Sequence, residues 1–256
     1  MTSFEGYSQE EFQSALRELI VSILKNPWLK PVKSRKAVLL GGQSGAGKST
    51  IHLVYKDKFS RNVIIINGDE YHKLHPHFDE IQMKFGIDSP AHTAAWSSAL
   101  TEALIDAFSM QGYNLIIEGT LRTSDVPLHT AQLLKQRNYD VSLAIMAVKP
   151  EISLVSCQIR YEQMRIAGTT ARAVNPQYHA RIVNEIADKL AALEQADCFT
   201  DLAIYNRTAN CLLSVTCPTQ EPVASKCLRE VLFGPWTEEE RHHLQQLEKK
   251  LSSFQT

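Results

Sequence analysis

The feature that most limits how this chain can fold is a spacing of glycines: in Gly42-Gln43-Ser44-Gly45-Ala46-Gly47-Lys48-Ser49-Thr50, four residues separate Gly42 from Gly47-Lys48-Ser49. The pattern Gly-x-x-x-x-Gly-Lys-Ser works between a strand and a helix. Its glycines turn successive N–H groups inward, and the helix adds the positive end of its dipole. The flanks supply both elements, since the apolar run Ala37 to Leu40 leads in and a helix-compatible stretch from Ser49 to Lys58 leads out. The segment reads as a phosphate-binding loop. Gly42 to Thr50 cradle a nucleoside triphosphate, Lys48 reaches its β- and γ-phosphates, and the Ser49 hydroxyl ligates the Mg²⁺ that bridges them. The chain contains no Asn-Lys-x-Asp, so ATP is expected rather than GTP.

Around the loop, strand and helix signals alternate. Val63 to Ile66, Tyr113 to Ile117, Val141 to Val148 and Leu202 to Tyr205 are short apolar runs suited to strands buried on both faces. Helical patterns run from about Thr93 to Met110, Val126 to Gln136, Pro150 to Ile166 and Pro176 to Gln195. This order predicts an α/β fold, a P-loop kinase with a mainly parallel sheet covered by helices on both faces. Helices are also expected at the two ends. Ser8 to Glu11 is a capping box that opens an amphipathic helix carrying Phe12, Leu16, Leu19, Ile20 and Ile23, and Asn26-Pro27 stops it. Leu212 to Val215 reads as an edge strand, Glu221 to Leu232 as a helix, and Thr237 to Glu240 as a capping box opening a charged last helix to Leu251. One kinase domain over 1–256 is expected: an N-terminal helix and basic connector in 1–35, the nucleotide and substrate core in 36–215, and C-terminal helices in 216–256.

Lys plus Arg number 27 against 28 Asp plus Glu, for a formal charge of −1. That balance argues against general nucleic-acid binding, so a kinase for an anionic substrate must gather its arginines locally. The five cysteines (Cys157, Cys198, Cys211, Cys217 and Cys227) are scattered without zinc or C-x-x-C spacing and read as reduced thiols. The start lacks the pattern of a secretion signal and no run is long enough to span a bilayer, so a cytoplasmic protein without a membrane role is expected.

In a parallel sheet, ligands lie beyond the carboxyl ends of the strands. Asp69, in Asn67-Gly68-Asp69, follows the second strand, where a carboxylate can accept a substrate hydroxyl's proton and aim its oxygen at the γ-phosphorus; the competing use is to cap the next helix. Glu118, in Glu118-Gly119-Thr120-Leu121-Arg122, follows the third strand. It can hold a magnesium water or bind substrate hydroxyls, with Thr120 and Arg122 on substrate oxygens, or it can simply pair with Arg122. Arg160, Arg165 and Arg172 form a basic cluster interrupted by Gly168-Thr-Thr170, the pattern of a lid that closes cations over a triphosphate. His72, His75 and His77 lie close together but follow no zinc spacing. Tyr205, Tyr178 and Trp96 could stack on a base, although core packing suits each better.

Several of these segments together resemble the zeta toxin family of bacterial toxin–antitoxin systems, its Pez-type branch above all. The resemblance rests on Leu40 to Ser49, Gly68-Asp69 with His75-Pro76, and Tyr113-Asn-Leu-Ile-Ile-Glu-Gly-Thr-Leu-Arg-Thr-Ser-Asp-Val-Pro127. Arg160-Tyr-Glu162, Ala171-Arg-Ala173 and Leu232-Phe-Gly234 continue it in order. The resemblance implies a toxin that uses ATP and Mg²⁺ to phosphorylate the 3′-hydroxyl of the amino sugar in UDP-N-acetylglucosamine, so blocking peptidoglycan synthesis. It also implies a cognate antitoxin whose helix blocks the nucleotide site. On the family pattern Lys48, Arg160 and Arg172 hold ATP phosphates, Ser49 the metal and Asp69 the role of base, while Glu102, Glu118, Thr120 and Arg122 face the UDP-sugar. One position departs from that pattern: where the family often has D-x-F-[RK], this chain reads Asp69-Glu-Tyr-His72. The residues alone also admit another small-molecule hydroxyl kinase, or a nucleotide-gated protein that binds a partner.

Overall fold

The computed structural model of the chain describes residues 6–169 and 173–254. Arg172 lies outside them. At the N-terminus, Ser8 accepts the Glu11 backbone N–H while the Glu11 carboxylate accepts the Ser8 N–H, and this reciprocal cap starts α1 (Gln9–Leu24). The chain then builds β1 (Arg35–Gly41), α2 (Ser49–Lys58) and β2 (Ile64–Asn67). After two short 3₁₀ turns come α3 (Phe78–Phe85), α4 (Ser89–His92), α5 (Ala94–Gln111) and β3 (Leu115–Glu118). Gly112, in the left-handed region at φ 82°, ends α5 and turns the chain into β3. The remainder is α6 (Asp125–Gln136), β4 (Tyr139–Met146), α7 (Pro150–Ile166), α8 (Pro176–Glu194), β5 (Asp201–Tyr205), β6 (Cys211–Thr216), α9 (Val223–Phe233) and α10 (Glu238–Ser252). α10 also opens on a reciprocal cap, between Thr237 and Glu240.

The strands form one sheet in the order β2-β3-β1-β4-β5-β6. Every pairing is parallel except that of β5 with β6, which is antiparallel at the edge. This is the expected α/β architecture. Alternation along β1 divides the core: Ala37 and Leu39 join a cluster that includes residues of α1, α5, α6, α8 and α9, whereas Val38 and Leu40 join one that includes α2 and α7, with Leu244 and Leu247 of α10 packed against it. Burying each such Leu or Ile contributes about 1.5–3 kcal/mol relative to leaving it exposed, so the central strand is fixed from both faces. Its carboxyl end is therefore a rigid platform for the loop that follows.

The sequence reading passed over α3 and α4. Phe78 and Ile81 are buried at i,i+3 spacing with half-buried Phe85 following, a helical signal confined to eight residues between Pro76 and Gly86. At the other end of the molecule, fully buried Glu194 accepts the backbone N–H groups of Ala224 (2.8 Å) and Ser225 (3.0 Å) and so caps α9 from a distant helix. Glu194→Ala leaves these buried donors unpaired and should cost about 3 kcal/mol, read as a lower urea midpoint with an unchanged denaturant slope.

Candidate active site

The loop between β1 and α2 takes the form its glycines allow. Gly42, Gly45 and Gly47 have φ of 141°, 78° and 95°, a region other residues enter at a cost. A Cβ on Gly45 would lie 2.0 Å from the Ser153 carbonyl oxygen and 2.7 Å from the Cys157 sulfur, so the loop rests directly on α7. Gln43, fully buried, donates to the Val148 carbonyl at 2.8 Å. His179, at the start of α8, lies 2.9 Å from the Ser153 hydroxyl and also hydrogen-bonds the Ser44 backbone. The loop is thus fastened to β4, α7 and α8. Ala46 is buried beneath it, while Ser49 and Thr50 open α2 with the Ser49 side chain exposed.

Lys48 is buried and donates to the carbonyls of Gly42 (2.9 Å) and Gln43 (3.4 Å). Glu118, at the tip of β3, stands 3.8 Å from the Lys48 ammonium and 2.8 Å from His52 Nε2. It does not pair with Arg122, whose guanidinium instead donates to the Tyr178 hydroxyl at 3.2 Å. Tyr178 is 44% exposed, a correction to the expectation that it packs in the core; it joins the loop after β3 to the first turn of α8. Trp96 and Tyr205 are buried as expected. Between Glu118 and Arg122, Leu121 is buried with φ of 53° and fills the space a side chain on Gly41 would need, at 2.5 Å. A leucine held in that conformation is strained, and the strain buttresses the floor of the loop. Thr120 is half-buried beside it, and Gly119 donates to the Leu40 carbonyl at 2.8 Å, which ties the tips of β3 and β1 together.

Asp69 lies in the 3₁₀ turn Gly68–Glu70 at the tip of β2, where the Asn67 side chain accepts its N–H. Capping there is the work of Asn67. The turn is pinned to α5, because Ser97 donates to the Gly68 carbonyl at 2.6 Å. Glu102 is on the same helix, exposed. His72 Nδ1 lies 2.7 Å from the Thr93 hydroxyl, which itself donates to the Ser89 carbonyl, so the imidazole is the donor in that contact. His75 accepts the His77 backbone N–H, and His77 lies 2.9 Å from Glu80.

Against the loop lies the buried thiol of Cys157 on α7, 2.7 Å from where a Cβ on Gly45 would stand. Burial pushes this thiol up, while Arg160, Lys48 and Arg207 pull it down and Asp69 pushes it up. Those four groups are therefore within electrostatic reach of a single sulfur. Arg160 is exposed on α7, whereas Arg165 is held by Glu162 at 2.7 Å and turned to its own helix. Arg207 was not anticipated. It follows β5, at a strand end where the gathering of ligands beyond carboxyl ends also holds. Among the described residues no group of three or more His, Cys, Asp or Glu side chains could hold a metal ion. Mg²⁺ that keeps waters and takes one Ser49 oxygen plus phosphate oxygens needs no such group, and the residues fit that mode.

Two outcomes follow from the loop's attachments. Gly45→Ala should abolish measurable ATP binding and lower Tm, whereas Gly86→Ala, at φ 53° and ψ −119° with nothing within 4 Å of the added carbon, should lower Tm through backbone strain and leave ATP titration unchanged. Burial holds His179 below its ordinary value of 6.5, so on acidification the unfolded chain takes up this proton first and stability falls as pH drops below about 6.5. His179→Gln should show a smaller fall in urea midpoint between about pH 7 and pH 5 than the unmutated protein.

Comparison with known proteins places this geometry. The zeta toxin family model matches residues 22–215. Toxin PezT of Streptococcus pneumoniae serotype 4 is 41% identical over 251 residues, 98% of each chain. Toxin zeta of Streptococcus pyogenes is 35% identical over 208 residues, 81% of this chain and 72% of that one. A solved structure from the PezAT chromosomal toxin–antitoxin system of Streptococcus pneumoniae superimposes with a TM-score of 0.87 at 40% identity, covering 99% of each chain. A structure of AvrRxo1-ORF1:-ORF2 with ATP shares the fold, with a TM-score of 0.53 at 12% identity over 96% of this chain and 86% of that one. Matched by the family model over most of its length and by Toxin PezT over nearly all of it, the chain belongs to the zeta toxin family.

Proposed function

We propose that this protein is an ATP-dependent kinase that phosphorylates the 3′-hydroxyl of the amino sugar of UDP-N-acetylglucosamine, and that it acts as the toxin of a type II toxin–antitoxin system. The observation that carries the reading is the buried Lys48 of the loop standing 3.8 Å from Glu118 at the tip of β3, with Asp69 at the tip of the neighbouring β2. The cation suits the triphosphate and the carboxylates suit the acceptor side. Family membership and the Glu118-Gly-Thr-Leu-Arg122 segment support the choice of substrate.

In this reading the loop N–H groups and Lys48 hold the β- and γ-phosphates, and Arg160 balances charge on the equatorial oxygens, with Arg172 expected to join it. Ser49 would hold Mg²⁺, which when bound would supply charge neutralisation for the transferring phosphoryl group. The acceptor oxygen bonds to the γ-phosphorus as the bridging P–O bond to ADP breaks, and the hydroxyl proton passes to Asp69. An alcohol is a far weaker acid than a carboxyl group, so Asp69 chiefly orients the hydroxyl and takes its proton late. Glu102, Glu118, Thr120 and Arg122 form the acceptor side. A sugar phosphorylated at that hydroxyl is a poor building block for peptidoglycan, which accounts for toxicity. UDP-N-acetylglucosamine is a cytoplasmic metabolite, so the activity belongs there. Restraint by an antitoxin helix at the nucleotide site completes the assignment; no nucleic acid or membrane takes part in it.

Incubation with ATP, Mg²⁺ and UDP-N-acetylglucosamine should give a sugar nucleotide heavier by one phosphate in the mass spectrum. Asp69→Asn should lower kcat by about 10² to 10⁴ with ATP affinity kept, and Lys48→Ala should weaken both. ATP turnover without the heavier product would discard the substrate, and equal loss of ATP affinity in the two variants would remove Asp69 from its role.

A further inference from the structure

Sheet order gives the nucleotide a direction. The acceptor-side groups Asp69 and Glu118 lie at the tips of β2 and β3, on one side of β1. A triphosphate in the loop must present its γ-phosphorus to that side, so its nucleoside end runs toward the tips of β4 and β5. Arg207 stands there. It lies in the turn between β5 and β6, which is stiffened by the Asn206 carboxamide oxygen accepting from Thr208 N (3.1 Å), the Thr208 hydroxyl (2.9 Å) and Asn210 N (2.9 Å). From this turn the side chain reaches back over the phosphate loop. Its Nη1 donates to the Gly45 carbonyl at 3.2 Å, and its Cγ passes 3.5 Å from where a Cβ on Gly47 would stand.

The guanidinium is half-buried and has no carboxylate within ion-pair distance among the described residues. The titratable groups it faces cannot compensate it. The buried Cys157 thiol is pushed toward its neutral form, and His243 of α10 is held low by burial, with the Arg207 charge adding to the effect. A guanidinium carries five N–H donors in a planar fork that matches phosphate oxygens, and among the described residues only one of those groups has an acceptor. Burial of a cation without a counter-ion is costly, and a phosphate at the nucleoside end of the chain supplies one.

We propose that Arg207 is a nucleotide ligand that grips the α-phosphate end of ATP, so that the β5–β6 turn anchors the triphosphate from the side opposite the acceptor. The assignment rests on the loop being the nucleotide site but not on the identity of the acceptor. Calorimetric titration of the full-length protein with Mg-ATP and with Mg-ADP, without any acceptor, tests it on Arg207→Gln, Arg207→Lys and Lys48→Ala. Arg207→Gln should raise Kd for ATP and for ADP by the same factor, about tenfold or more, with Arg207→Lys between it and the unmutated protein and the nucleotide-free Tm little changed. If Arg207→Gln also lowers the nucleotide-free Tm markedly, the Arg207→Lys titration decides. Unchanged Kd for both nucleotides would overturn the proposal, and so would a loss confined to ATP, which would move Arg207 to the γ-phosphate. Unchanged ADP affinity in Lys48→Ala would overturn the nucleotide site itself, whereas failure to phosphorylate UDP-N-acetylglucosamine would leave these titrations standing.

Discussion

The contact on which the rest depends is the backbone of Gly45 against the carbonyl of Ser153. A phosphate loop without a fixed seat would lose its ring of inward N–H groups to thermal motion, and the order of such a ring is what makes it a receptor for anions. Here the seat is α7. Because no side chain intervenes at Gly45, the loop meets the helix backbone directly, and Gln43 and His179 fasten it on either side. The α7 that supports the loop also carries Arg160. One rigid element therefore sets both the cradle and a cation that faces it.

Charge is arranged with economy. Among the described residues the cations near the loop outnumber the carboxylates, although the whole chain is close to neutral. Lys48 is partly compensated by Glu118 and by loop carbonyls, whereas Arg207 has no carboxylate within ion-pair distance among the described residues. What remains is positive, which suits a tetra-anionic triphosphate better than a site already neutralised from within. Leu121 contributes differently. Its strained backbone places an apolar side chain under Gly41, so the segment that carries Glu118, Thr120 and Arg122 is braced against the strand that carries the phosphate loop.

Much of this was legible in the linear chain. The glycine spacing gave the loop and its flanking strand and helix, because their geometry is dictated by neighbours only a few residues away. The capping boxes at Ser8 and Thr237 and the apolar runs of the four buried strands were readable for the same reason. The short α3 was not read, since Phe78, Ile81 and Phe85 make a weak periodic signal in eight residues. Tyr178 was misplaced because an aromatic ring says nothing of which face of its helix it occupies, and its pairing with Arg122 spans 56 positions. Glu118 was expected on a magnesium water, at substrate hydroxyls or on Arg122; its approach to Lys48 and His52 follows from the register of β1 with β3, which sets Leu40 beside Glu118.

By itself the sequence determined the glycine loop between strand and helix, the alternating architecture and the family, since each depends on local spacing or on segments that can be matched in order. Tertiary structure alone decided which charges meet. Lys48, Asp69 and Arg207 come from three separate segments and reach the neighbourhood of Cys157 through the strand order β2-β3-β1-β4-β5-β6, whereas Arg160 stands one turn from Cys157 on α7 itself. That order is a property of long-range pairing and of burial on two faces, neither of which is written in the spacing of neighbouring residues.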